Sequence, residues 1–204
     1  MSYIRFFHGC AEMGHIAIYV GGMPVTRQLS YGESTPHFLM NSGQTTIRIE
    51  ENGVVKLQNH VIIPKDLTYT LLILCRSGFP EMIAIEEDGQ LTDETQSGVR
   101  IGSFADSAQP LDFWHRFADT DEMLFSQVQQ GDVTEYVQLE PGEHRWEIRE
   151  NGSTISMLPG QQVEKGKLYT VYMIGKNDVE EEEHPAAMCM LRDVKTTVAS
   201  PQGM

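Results

Sequence analysis

The sequence predicts an all-β protein: two tandem Ig-like antiparallel β-sandwich domains of about seven to eight strands each. Three observations predict it. Apolar and polar residues alternate over short runs, Ile47 and Ile49 with Arg48 and Glu50, and Trp146 and Ile148 with Arg145, Glu147 and Arg149. This is the period of a half-buried strand. The chain repeats itself once along its length. No window of about 11 residues holds a clean 3.6-residue period flanked by caps, so little helix is expected.

The repeat is read from the order of its matches. Thr45-Thr46-Ile47-Arg48-Ile49-Glu50-Glu51-Asn52-Gly53 matches His144-Arg145-Trp146-Glu147-Ile148-Arg149-Glu150-Asn151-Gly152. Gly32, Thr35 and Gly43 match Gly131, Thr134 and Gly142, and Lys65, Tyr69 and Thr70 match Lys165, Tyr169 and Thr170. Arg5 pairs with Arg100 at the front; Pro80 and Asp88 pair with Pro185 and Asp193 at the back. The offset grows along the chain, which places insertions in loops. One is expected where Gly21-Gly22-Met23-Pro24 gives way to the longer 115–122, another at the acidic 177–184. The first domain is then expected over 1–90, a linker over 91–97, the second domain over 98–193 and a tail over 194–204.

Taken in order, strands are expected near 3–8, 15–20, 25–30, 35–40, 45–51, 54–62, 68–75 and 81–86. The second copy repeats them near 98–104, 110–115, 123–128, 134–139, 144–150, 153–163, 168–175 and 187–192. Asn41-Ser42-Gly43 and Glu140-Pro141-Gly142 are turns before the central hairpin. Asn52-Gly53 and Asn151-Gly152 supply the two positive-φ residues that a type I′ turn needs. Leu71-Leu72-Ile73-Leu74-Cys75 is the most apolar run and is strand-sized, far short of the roughly 20 residues of a membrane-spanning helix.

Composition excludes several functions. Lys and Arg number 15 against 29 Asp and Glu, a net charge of −14. Nucleic acid needs a basic stripe to displace counterions, and an anionic membrane surface attracts Lys and Arg clusters; neither partner is expected, nor is membrane insertion. The opening Met1–Gly9 has neither a basic n-region nor an apolar h-region, so synthesis in the cytoplasm is expected. Cys10, Cys75 and Cys189 are odd in number with unrelated spacing, so no disulfide framework is read from them and reduced, buried thiols are expected.

Arg5-Phe6-Phe7-His8 followed by Ile16-Ala17-Ile18-Tyr19-Val20, the mid-domain Gly-x-x-Thr, the Ser-Gly or Pro-Gly turn and the late Tyr-Thr resemble the bacterial domain-of-unknown-function family numbered 4397. The resemblance covers both copies. It departs at Gly9–His15 and at Ser103, which stands where the family has His. It implies an envelope-type or surface-type all-β module without established catalytic residues, and a spore-layer or cell-envelope role.

No catalytic constellation is found. His8, Cys10 and His15 lie close in sequence, but only His8 and Cys10 share a strand face and a third metal ligand is undefined, so His8 is expected to anchor the first loop by hydrogen bonds. Cys75 and Cys189 sit in apolar strands and read as core. Asp119, Asp121 and Glu122 share one loop rather than facing each other across a cleft. The acidic run 178–183 lacks the glycine and alternating ligands of a calcium loop. Catalytic residues, metal and cofactors are therefore all expected to be none. Tyr69 and Tyr169 read as tyrosine corners, and Trp146 as core. The residues expected to contact a ligand or partner are Phe113, Trp114, His115 and Phe117, because a strand with aromatics on both faces exposes something apolar. The function expected is a non-catalytic structural or interaction module, pairing with itself or a protein partner through sheet edges. A carbohydrate- or ligand-binding sandwich is the alternative.

Overall fold

The computed structural model describes residues 1–107, 109–175 and 186–193. Its strands run β1 (Ser2–His8), β2 (Ile16–Val20), β3 (Met23–Leu29), β4 (Phe38–Met40), β5 (Gly43–Glu51), β6 (Val54–Ile63), β7 (Thr68–Arg76) and β8 (Phe79–Glu86) in the first repeat. The second repeats them as β9 (Ser97–Ser103), β10 (Leu111–Phe117), β11 (Thr120–Val128), β12 (Val137–Leu139), β13 (Gly142–Glu150), β14 (Ser153–Val163), β15 (Leu168–Ile174) and β16 (Ala187–Asp193). Among the described residues there is no helix, so none is long and apolar enough to cross a membrane.

Each repeat is a sandwich of two four-stranded sheets in the same order. The first pairs β4-β1-β7-β8 with β3-β2-β5-β6; the second pairs β12-β9-β15-β16 with β11-β10-β13-β14. Pairing is antiparallel except that β1 runs parallel to β7 and β9 parallel to β15. Asn52 and Gly53 have φ of 50° and 77°, and Asn151 and Gly152 have 49° and 81°, the paired left-handed residues of type I′ hairpins.

The shortness of β4 and β12 explains the Gly-x-x-Thr feature. Thr35 Oγ1 accepts the Phe6 N–H at 3.0 Å, and Thr134 Oγ1 accepts the Ile101 N–H at 3.0 Å. The Thr35 and Thr134 N–H groups donate back to the Phe6 and Ile101 carbonyls at 2.9 Å, so each threonine pairs partly through its side chain, and the regular strands begin only at Phe38 and Val137 rather than near 35 and 134.

Each sandwich has its own core. Ile4, Phe6, Ile18, Ile47, Ile49 and Ile73 lie in the first, and Val99, Ile101, Phe113, Trp146, Ile148 and Val171 in the second. A third cluster lies between the repeats: Phe7, Leu72, Leu74 and Ile85 pack against Phe104, Tyr172 and Ile174. Strand alternation produces this division. Leu71 and Ile73 point into their own sandwich, while Leu72 and Leu74 point out of it, onto the other repeat. The run at 71–75 is apolar throughout because the strand is covered on both faces. Burial of such side chains contributes roughly 1.5–3 kcal/mol each, and a hydrophobic interface of this kind opposes the independent motion that tandem domains otherwise show.

Three expectations are corrected. The insertion at 115–122 is not a loop: β10 and β11 continue past the lengths of β2 and β3 and meet at the two-residue turn Ala118-Asp119, with Ala118 at φ 49°. The back match is also displaced. Tyr69 pairs with Glu86 and Tyr169 with Arg192, so Asp193 occupies the place of Glu87, not Asp88. The thiols differ as well. Cys10 and Cys75 form a disulfide, and only Cys189 is free. The parallel register of His8 with Ile73 carries Cys10 level with Cys75 across 65 residues of sequence. The expected insertion at 177–184, the acidic run 178–183, Pro185 and the tail lie outside the described residues.

Candidate functional site

Strand β10 separates the four residues singled out from the sequence. Phe113 and His115 point inward, at 2% and 5% exposure, opposite Ile148 and Trp146 of β13. Trp114 faces outward, half-buried, with the Arg149 guanidinium carbon 4.1 Å from its ring centroid. Arg149 is held there by Glu147 at 2.8 Å and Asp121 at 3.1 Å, and these bonds raise its pKa, with Glu147 the larger cause. That ring face is therefore covered by a cation, whereas a sugar platform needs it bare. Phe117 belongs to the strand extension and stacks on His144, centroids 4.4 Å apart and planes 11° apart.

His144, wholly buried, is the functional-type residue that sequence reasoning missed, because it was read only as a match to Thr45. Its Nε2 lies 2.8 Å from the Glu140 carbonyl, and its Nδ1 lies 3.2 Å from Nδ1 of His115. A carbonyl only accepts, so Nε2 of His144 carries the hydrogen and its Nδ1 is a lone pair. His115 Nδ1 must then donate. That leaves His115 Nε2 as the free lone pair, 3.4 Å from Glu122 Oε2. Burial holds His144 below the ordinary histidine value. Nothing nucleophilic or electrophilic faces the pair among the contacts described.

Two other expected roles are visible. His8 ties the first loop, with Nε2 2.9 Å from the Gly14 carbonyl, and burial lowers its pKa. The Tyr169 hydroxyl accepts the Glu164 N–H at 3.0 Å, joining β15 to the preceding turn.

Among the described residues, the edge strands differ in how far they are blunted. Edge strands are commonly blunted by shortness, proline, charge or bulges. Here β4 and β12 are three residues long. β3 and β11 each carry two register shifts, with Pro24 in one and Asp121 and Glu122 in the other. β14 is shifted twice and interrupted by Pro159-Gly160, and Ser156 Oγ donates to the Ala186 carbonyl at 3.2 Å, closing it onto β16. β6 differs. Its single shift lies at its start, and Leu57–Ile63 runs straight, without proline, glycine or a permanent charge. Ile62 on its outer face is 72% exposed. Between β6 and β8 opens an apolar cleft of about 400 Å³ lined by Val61, Ile63, Leu67, Tyr69, Leu71 and Met82.

The profile of the domain of unknown function DUF4397 matches residues 2–114, more than half of the chain. The chain belongs to the DUF4397 family. The match takes in the first DUF4397 repeat, the connecting segment and the first strand and a half of the second. No curated protein matches this DUF4397 chain. Among solved structures it is similar to a streptococcal virulence factor described for α-glucan binding, at 11% identity and TM-score 0.29, covering 89% of this chain and 95% of that one. It is also similar to a Bacteroides fragilis protein provisionally described as a cell adhesion protein, at 12% identity and TM-score 0.20, covering 89% and 84%. At these scores neither likeness bears on a ligand or partner.

Proposed function

We propose that this DUF4397 chain is a non-catalytic interaction protein that pairs with a second copy of itself through the β6 edge. One observation carries the reading: Leu57–Ile63 is a straight, uncharged edge beside an apolar cleft, while the matching edge of the second repeat is bulged and closed. Strand addition supplies main-chain hydrogen bonds to such an edge. A two-fold axis at His60 sets Leu57 against Ile63, Gln58 against Ile62 and Asn59 against Val61 of the second copy. The same patch serves both partners, as an isologous contact requires. Leu57, Val61 and Ile63 then extend one apolar row across both sandwiches. Self-pairing of this kind suits a subunit of a surface layer or coat.

Light scattering on size-separated protein tests the reading. The full chain is expected to be dimeric at tens of micromolar, and Ile62→Glu, a change at an exposed position, is expected to make it monomeric while it stays folded. A wild type that stays monomeric at millimolar concentration overturns the proposal, as does an Ile62→Glu dimer. A carbohydrate reading would instead require sugar-dependent melting that is lost in Trp114→Ala.

A further inference from the structure

Cys10, Glu12 and Cys75 meet at the mouth of a cleft between the repeats. Their ligand atoms, two sulfurs and one carboxylate oxygen, all lie within 4.8 Å of one another, and Cys10 Sγ is 3.6 Å from Glu12 Oε2. The cleft encloses about 350 Å³ and is lined by Gly9, Glu12, Cys75 and Arg76 of the first repeat and by Phe104 and Asp106 of the second. Water and small ions therefore have a route to Cys75 and Glu12, with the buried Cys10 behind them.

The fold itself does not ask for these residues. In the second repeat Ala105 stands where Cys10 stands, Ser107 where Glu12 stands, and Gly175 where Cys75 stands. Ala105 is wholly buried, so the same corner packs without any crosslink. Two cysteines and a carboxylate stand in one copy of a duplicated scaffold and not in the other, and once the sulfurs are separate thiolates this donor set suits a borderline-soft cation.

We propose that, once the Cys10–Cys75 disulfide is reduced, Cys10, Cys75 and Glu12 bind a zinc-type divalent cation, with water as the fourth ligand on the cleft side. A dithiol supplies the two electrons and two protons that open the S–S bond and itself closes to a cyclic disulfide. The cation then displaces the two thiol protons to solvent, because the thiolate is the ligand. The loop after β1 is tied to the end of β7 in either state, by sulfur–sulfur or by sulfur–metal–sulfur bonds.

Cobalt(II) is the probe. Full-length Cys189→Ser protein, reduced with dithiothreitol and desalted without oxygen, is expected to bind one cobalt per chain with a thiolate-to-metal charge-transfer band that zinc abolishes. Zinc is also expected to slow alkylation of both cysteines. Cys10→Ala, which reproduces the packing at Ala105, is expected to remove the band while the protein stays folded. Glu12→Gln is expected to weaken binding at least as much as the roughly 10–100-fold lost when an outer-shell partner is removed. Oxidised protein is expected to give no band. A reduced protein without the band overturns the proposal, and so does a band that survives unchanged in Cys10→Ala or Glu12→Gln.

Discussion

Arg5 Nη2 lies 2.6 Å from Asp193 Oδ1, joining the two repeats across 188 residues of sequence, with both side chains buried. The contact sits within a partly pseudo-two-fold arrangement of the two arginines. Arg5 Nε donates to Thr70 Oγ1 at 2.7 Å and Arg100 Nε to Thr170 Oγ1 at 2.9 Å. Thr70 in turn donates to Glu87, and Thr170 to Asp193. Each arginine then crosses to the other repeat: Arg5 Nη1 donates to the Arg192 carbonyl and Arg100 Nη2 to the Glu86 carbonyl, both at 2.6 Å. The symmetry ends at the carboxylates: Arg5 Nη2 also meets Glu87 at 3.2 Å, whereas Arg100 Nη1 lies 3.8 Å from Asp88, and His37 meets Glu87 where the Tyr136 hydroxyl meets Asp193. Burial pushes the Asp193 carboxyl above the ordinary carboxylate range, against the pull of Arg5.

Arg5→Ala leaves two buried carboxylates, Glu87 and Asp193, without their shared cation. Loss of one partner from such a set costs about 3–5 kcal/mol, most of it the burden of an uncompensated buried charge. Urea denaturation is expected to show that loss. Adding Asp193→Asn to Arg5→Ala is expected to recover part of it, and a double-mutant cycle measures how much.

Phe7 and Tyr172 lie at the centre of the contact between the repeats, ring centroids 5.1 Å apart. Phe7→Ala is expected to destabilise by about 3–5 kcal/mol through the cavity it leaves. More tellingly, it is expected to split one calorimetric transition into two, since each sandwich keeps its own core. A single transition in the variant would show that the repeats do not unfold separately.

His8 and His144 are both held below the ordinary histidine value by burial. The unfolded chain therefore binds these protons more readily than the native one, so stability is present at neutral pH and is lost as pH falls through about 6.5 and below. The slope is at most about 1.4 kcal/mol per pH unit for each group. Melting temperatures at pH 8 and pH 5 are expected to differ, and His144→Phe, whose ring can keep the stack on Phe117, is expected to narrow the difference.

Reducing the Cys10–Cys75 bond reopens a loop of 65 residues. Chain entropy assigns such a closure about 4 kcal/mol, and measured bridges fall around 2–4. Melting in metal-free dithiothreitol is expected to drop accordingly, while Cys189→Ser is expected to leave it unchanged.

What could be read from the sequence was whatever a strand declares locally. Ile47 and Ile49 alternate because β5 is covered on one face only, and Asn52-Gly53 turns because only such residues accept two left-handed positions cheaply. The duplication was legible for the same reason. What could not be read depended on pairing between distant strands. Cys10 meets Cys75 only through the parallel register of β1 with β7, and Leu72 and Leu74 face the other repeat only because two sheets stack. His115 and His144 meet because β10 lies beside β13. The open edge at β6 likewise exists only once the strand order is known, since Val61 and Ile63 alternate as any half-buried strand does.

Covalent trapping of the β6 contact tests the proposed pairing most directly. In a Cys189→Ser background, His60→Cys places two thiols opposite each other on the two-fold axis, where facing Cβ atoms lie about 4.5–5.5 Å apart. Mild oxidation is expected to convert that variant to a disulfide-linked dimer, while Met157→Cys on β14 stays monomeric. A His60→Cys protein that remains monomeric, or crosslinks no faster than Met157→Cys, contradicts the account.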